Sequence, residues 1–162
     1  MEKIIIPDHL YHASFFDDSA IVISPRTPFF DEILYLNGKA DSPLEKASQR
    51  MQEYFADFHN ESEMIKSHFK CRKGEKARLH VLFHLSRLVT MLFWNENLLC
   101  PPLDEMETRV ARLKSKPLNA AERILFIMKA PGQFQSFIQL QELFLEFEKK
   151  AAAKPFLIKG EE

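Results

Sequence analysis

Apolar side chains recur at three- and four-residue intervals over most of this chain, the spacing of helices that bury one face. The pattern is densest over residues 78–94. Wound at about 3.6 residues per turn, Leu79, Leu82, Phe83, Val89 and Phe93 share one face, and Val81, Leu85, Leu88 and Leu92 an adjoining one. A helix apolar nearly all round belongs in the middle of a bundle or in a membrane. His80, His84, Arg87, Met91 and Asn95 fall on one narrow stripe that carries nearly all of its polarity.

Helix starts and stops divide the rest. Thr27-Pro28 precedes a predicted helix over 29–36 that closes at Asn37-Gly38. Ser42-Pro43-Leu44-Glu45 reads as a capping box. It opens a helix that buries Ala47, Met51, Tyr54, Phe55 and Phe58 and ends near His59-Asn60. A further helix is expected over 61–73, stopped by Gly74, and the central one over about 75–97. Pro101-Pro102 then enforces a break. Residues 103–114 follow, then a helix capped by Asn119 and stopped at Pro131-Gly132, then a last helix over about 134–152. Residues 1–27 read as an irregular N-terminal arm and 154–162 as a C-terminal tail. The apolar segments 3–6 and 156–158 can pack along the bundle or pair as two tiny strands. The expected fold is all-α: a single-domain bundle over 1–162, with six or seven helices around a Phe-rich central helix (about 75–97).

Composition narrows the functions available. Fifteen Phe stand against one Trp and three Tyr, so the aromatic core is large and carries few polar handles. With 22 basic and 23 acidic residues the net charge is −1, and no global field favours nucleic acid or an anionic membrane. The glycines, Gly38, Gly74, Gly132 and Gly160, are too scattered for a phosphate-cradling loop or a dinucleotide fingerprint. Two cysteines and no segment resembling a secretion signal lead to an expected cytoplasmic, reducing setting. His80, His84 and Arg87 interrupt the longest apolar run, so no membrane span is expected.

Three local patterns resemble the YpoC-like family of small Bacillus-type bacterial proteins. They are Ile6-Pro7 with His12 and Phe15-Phe16, the run Lys116-Pro117-Leu118-Asn119-Ala120-Ala121-Glu122-Arg123, and above all Phe134-Gln135-Ser136-Phe137-Ile138-Gln139-Leu140. The resemblance implies a cytoplasmic, helical bacterial protein without an established activity. It carries over no catalytic residues.

The residues themselves offer several chemistries. His80 and His84 have the spacing of two metal ligands on one helix face. A site would need a third donor such as His68, His59, Glu96 or Asp104, and Arg87 one turn on would repel a cation. Val81 stands where a metalloprotease needs an acid. No metal or cofactor is assigned. The stripe suits an anion better: Arg87 with His80 and His84, joined by Arg78, offers a planar fork to carboxylate or phosphate. The bland alternative is an internal bridge from Arg87 to Glu122 or Glu142.

A basic cluster, Lys66, Lys70, Arg72, Lys73, Lys76 and Arg78 against the single acid Glu75, can contact phosphates on a neutral protein. Arg109, Arg112, Lys114 and Lys116 can extend it. Apart from Phe69 it lacks the aromatic interleaving of single-strand binders, and cations near a helix end also answer the helix dipole. Cys71 lies among these cations with His68 one turn away, but no cysteine-enzyme signature surrounds them. Ser86 lacks the Gly-flanked turn of a hydrolase nucleophile. Phe134, Gln135 and Gln139 follow a Pro-Gly break and suit a partner's groove.

These features weigh against an enzyme and assign no catalytic residue. The first expectation is a non-enzymatic helical interaction protein with a protein partner. A nucleic-acid-associated protein using 66–78 comes second, and an anionic-ligand pocket or enzyme around His80, His84 and Arg87 third. Oligomeric state stays open.

Overall fold

The structure is a computed structural model that describes residues 2–153. Pro, Gly and left-handed residues divide them into β1 (Ile4–Ile5), β2 (Ala20–Ile21), α1 (Phe30–Leu36), α2 (Ala47–Lys70), α3 (Gly74–Trp94), α4 (Met106–Ala111), α5 (Ala120–Lys129) and α6 (Phe134–Ala153). The predominantly helical fold is as the periodicity implies. From Val81 to Trp94 every residue of α3 except Arg87 is buried, and α2, α5 and α6 cover it. The phenylalanines do much of this covering from outside α3. Phe58 of α2 stacks on Phe144 of α6 with centroids 4.0 Å apart, and Phe55 meets Phe144 edge-on at 6.2 Å. Offset and edge-on ring pairs add specificity to the area they bury.

Several boundaries differ from expectation. The break predicted at His59-Asn60 does not occur, and α2 is continuous for 24 residues. Tyr54, Phe58 and Ile65 stay in helical phase on its buried side, and that outweighs weak polar breakers. Gly74 is not the stop either. Arg72 adopts the left-handed conformation (φ 58), and the Lys73 and Arg72 amides donate back to His68 and Phe69 carbonyls, a Schellman closure. Gly74 instead opens α3. Asn97 (φ 59) closes α3 in the same way, with Leu98 N donating to Phe93 O, so the helix ends at Trp94 rather than Asn97.

The expected caps also shift. Ser42 Oγ accepts from Leu44 N at 3.3 Å, but this opens only a 3-10 turn, Pro43–Lys46, ahead of α2. Asn119 precedes α5 yet makes no side-chain cap. At φ 56 it lies outside the extended backbone from which a cap side chain reaches inward. Phe29, also left-handed at φ 58, delays α1 by one residue. The 103–114 segment is a 3-10 turn, Leu103–Glu105, followed by the short α4.

The N-terminal arm is more ordered than expected. Ile4 pairs with Ile21 and Ile5 with Ala20 in an antiparallel ladder, and Ile6, Leu10 and Phe16 join the core. The 154–162 tail, including the strand partner proposed at 156–158, lies outside the described residues. α1 is tied to the far end of α3 by Glu32, which is buried. Its carboxylate accepts from Cys100 N at 2.9 Å and from Trp94 Nε1 at 3.3 Å. Burial pushes its pKa up to about 7, against the pull of those donors.

A second close contact joins the α2–α3 and α5–α6 turns. A methyl group on Gly74 would lie 2.6 Å from the carbonyl oxygen of Gly132, and one on Gly132 would lie 3.3 Å from that of Gly74.

These contacts have measurable consequences. In an ordinary helix Gly→Ala gains up to about 1 kcal/mol, but Gly74→Ala must push the facing backbones apart and should lose about 1–3 kcal/mol in urea unfolding. Gly132→Ala should lose less; a stabilised Gly74→Ala would contradict the contact. Glu32 ionises near 4.5 unfolded and about 7 folded, so its stabilising proton is fully bound below about pH 4.5 and released as pH rises through about 7. Unfolding free energy should fall by about 3 kcal/mol from this group between about pH 5 and pH 8. Glu32→Gln should flatten that slope.

Candidate functional site

The stripe of α3 is answered from within the chain. His84 is fully buried, and its Nε2–H donates to Glu61 Oε1 at 3.0 Å. Its Nδ1 has no partner. A neutral ring leaves there only an unused lone pair, whereas a charged ring would add an orphaned buried N–H. Burial holds the His84 pKa below its usual value, against the pull of Glu61. Glu61 is held at about 2, first by the His84 hydrogen bond and then by Arg26, with burial opposing both.

Arg26, from the N-terminal arm, grips Glu61 with both terminal nitrogens at 2.7 and 3.0 Å. It also donates to His80 Nδ1 at 2.7 Å and lies 3.8 Å above the Phe83 ring centroid. Burial and the adjacent Arg26 charge lower the His80 pKa, and His68 stacks on His80 with ring centroids 5.7 Å apart.

Arg87 is engaged separately. Its Nη1 donates to Asp57 Oδ2 at 2.8 Å, and its guanidinium lies over Tyr54 and Phe83 at 4.1 and 4.3 Å. The answering carboxylate is Asp57 rather than Glu122 or Glu142. Glu122 is exposed, and Glu142 lies 3.5 Å from Arg123. The cavity beside Arg87, lined also by Asp31, Glu32, Tyr54 and Thr90, measures ≈ 10 Å³, about the space of one water.

The other donors considered for a metal are dispersed. His59 pairs with Glu148 at 2.6 Å, Glu96 accepts from Ser115 N, and Asp104 is exposed. Arg78, considered for the anion site, pairs with Glu75 at 3.3 Å. Among the described residues no group of three or more His, Cys, Asp or Glu side chains is placed to hold a metal ion, and no helix is long and apolar enough to cross a membrane.

A different juxtaposition forms at one end of the bundle. The Gly74–Gly132 contact lays the α2–α3 turn against the α5–α6 turn. Phe69 of the basic segment meets Phe134 at 5.7 Å and Phe137 at 5.8 Å. The basic segment and the Phe134 helix start, far apart in sequence, thus meet at one end of the bundle. Lys70, Arg72, Lys73 and Lys76 are exposed, and none has an ion-pair partner among the described residues. Lys66 is half-buried. Phe134 is 42% exposed, and Gln135 is exposed beside it. Gln139 is drawn away: its Oε1 accepts from Arg123 Nε at 2.9 Å. Cys71 is an exposed free thiol at this end, while Cys100 is buried.

Arg26, Asp57, Glu61 and Arg123 hold these networks, and no motif in the sequence marks Arg26 or Arg123 for that role. Arg26 sits in an aperiodic segment, and Glu61 occupies a point that reads as a helix start. One pattern was available. Asp57 and Glu61 are four apart and so share a helix face, as His80 and His84 do.

Comparison with known proteins adds descent. A family model for YpoC-like proteins matches residues 48–159. The chain is also 31% identical over 121 residues to the uncharacterized protein YpoC of Bacillus subtilis (strain 168), an alignment that spans 75% of this chain and 73% of that protein. No solved structure matches. On the family match and this identity, the chain belongs to the YpoC-like family.

Proposed function

We propose that the protein acts by binding another macromolecule rather than by catalysis, through the bundle end where the α2–α3 and α5–α6 turns meet. One observation carries this reading: the Gly74–Gly132 approach brings the turn bearing exposed cations, without ion-pair partners among the described residues, against the turn that opens on a half-exposed phenylalanine. Exposed charge of one sign with an aromatic anchor is the composition of a recognition surface. The His80, His84 and Arg87 stripe supports it by contrast, since its polar groups are nearly all answered inside the chain and the adjoining cavity is too small for a ligand. Two free thiols suit a reducing, cytoplasmic setting.

The test is capture of partners by the tagged protein from a lysate of its own host, with variants run in parallel. The triple variant Lys70→Glu, Arg72→Glu, Lys73→Glu should lose the captured partner while its Tm stays within about 2 °C of the wild type, as exposed substitutions do. Arg87→Ala and Glu61→Gln should do the reverse. They should unfold at lower temperature, since losing a partly buried hydrogen bond to a charged group costs about 1–3 kcal/mol, yet keep the partner. A partner retained by the triple variant and lost from a stably folded Arg87→Ala would return the site to the stripe.

A further inference from the structure

We infer that the ligand of this bundle end is single-stranded nucleic acid, its phosphates held by Lys70, Arg72, Lys73 and Lys76 and an unpaired base stacked on Phe134. The inference rests on the reading of that end as the binding surface and names what binds there. Single-strand binders combine a cationic track for the backbone with aromatic faces for the bases. The basic segment by itself has only Phe69, and Phe69 is partly buried against the core. The tertiary structure supplies the missing platform from a distant point of the chain. Phe134 rests on the Phe69 ring at 5.7 Å and 66°, so it is fixed in place while 42% of the residue stays open to solvent.

The charges suit a polyanion. Arg72 sits at the left-handed closure of α2, at the tip of the turn, with Lys70 and Lys73 on either side and Lys76 in the first turn of α3. The nearest acid in the segment, Glu75, is already paired with Arg78. That pair borders the second turn, because a methyl on Gly132 would lie 3.7 Å from Arg78 Cβ. The net charge of −1 is no obstacle, since attraction within a Debye length of about 10 Å depends on local charge. A duplex presents its bases already stacked on one another, so it can use the cations but not the ring. An acidic protein could use the cations too, and that is the outcome the experiment separates.

Cys71 provides an internal reporter, being an exposed thiol between Lys70 and Arg72 while Cys100 is buried. The full-length protein is titrated into fluorescein-labelled single-stranded DNA, single-stranded RNA and duplex DNA of about 15 nucleotides, a length that covers the site of such binders. Anisotropy reads binding, and maleimide alkylation of Cys71 reads occupancy. Single strands should bind more tightly than duplex, and whichever of DNA or RNA binds better identifies the source. Four phosphate contacts predict a loss of roughly 50-fold in affinity between about 50 and 200 mM salt. Phe134→Ala should weaken binding roughly tenfold, and Phe134→Trp should retain it. Lys70→Glu with Arg72→Glu should abolish it. Bound strand should slow Cys71 alkylation several-fold.

Absence of binding at low salt, preference for duplex, indifference to Phe134→Ala, or unprotected Cys71 would each overturn the inference. If oligonucleotides fail but the triple charge variant still loses a captured protein, the inference falls and the proposed binding end stands. If that variant changes neither readout, both fall.

Discussion

α3 has no wet face over its second half, and the rest of the molecule is arranged around the polar groups that this buries. The buried imidazole of His84 and the partly buried guanidinium of Arg87 each need a partner, because an unanswered buried polar group costs more than a hydrogen bond returns. α2 supplies those partners from one face: Asp57 to Arg87 and Glu61 to His84. Tyr54 beside Trp94 and His68 on His80 extend the ladder in both directions. Positions rise along α2 as they fall along α3, as an antiparallel hairpin requires, so these polar pairs also set its register. Arg26 then ties the N-terminal arm to the same rung through Glu61.

The second constraint is steric. At Gly74 and Gly132 two backbones approach too closely for a side chain, and this brings the α2–α3 and α5–α6 hairpins together at one end. From that contact follow the meeting of Phe69 with Phe134 and the merging of a cationic turn with an aromatic helix start. The proposed binding end is thus a by-product of how two hairpins close. Among the described residues its cations have no ion-pair partner and their local sequence holds few acids, whereas Arg87 of the stripe meets Asp57 on the neighbouring helix.

The segments through which the chain resembles its family have identifiable work in the fold. Arg123, closing the run that begins at Lys116, joins α5 to α6 through Glu146 at 2.7 Å and Gln139. Ser136 Oγ donates to Ala130 O at 2.6 Å, which fastens the α5–α6 turn, and Phe137 and Leu140 are fully buried. In the arm, Ile6 and Phe16 enter the core. The Lys116 and Phe134 runs build the hairpin that carries the exposed ring. The family likeness and the proposed binding end therefore meet at the same turn without the one explaining the other.

The sequence alone determined the helical class, the burial of α3 and most of the later helix boundaries, because apolar periodicity and Pro-Gly breaks act over a few residues. It also marked the basic cluster and Phe134 as separate candidates. It misplaced the break within α2 and the ends of α2 and α3, since left-handed closure at Arg72 and Asn97 has no compulsory residue signature once Gly is absent. It showed His80, His84 and Arg87 as a polar stripe but not the carboxylates that answer them. Only the tertiary structure decided that Asp57, Glu61 and Arg26 consume that stripe, and that the turn of Lys70 to Lys76 meets the helix start at Phe134. Local rules see neighbours three or four residues apart, whereas both outcomes depend on contacts between segments far apart in the chain. Those contacts are settled by which helix faces pack and where two glycines let backbones touch.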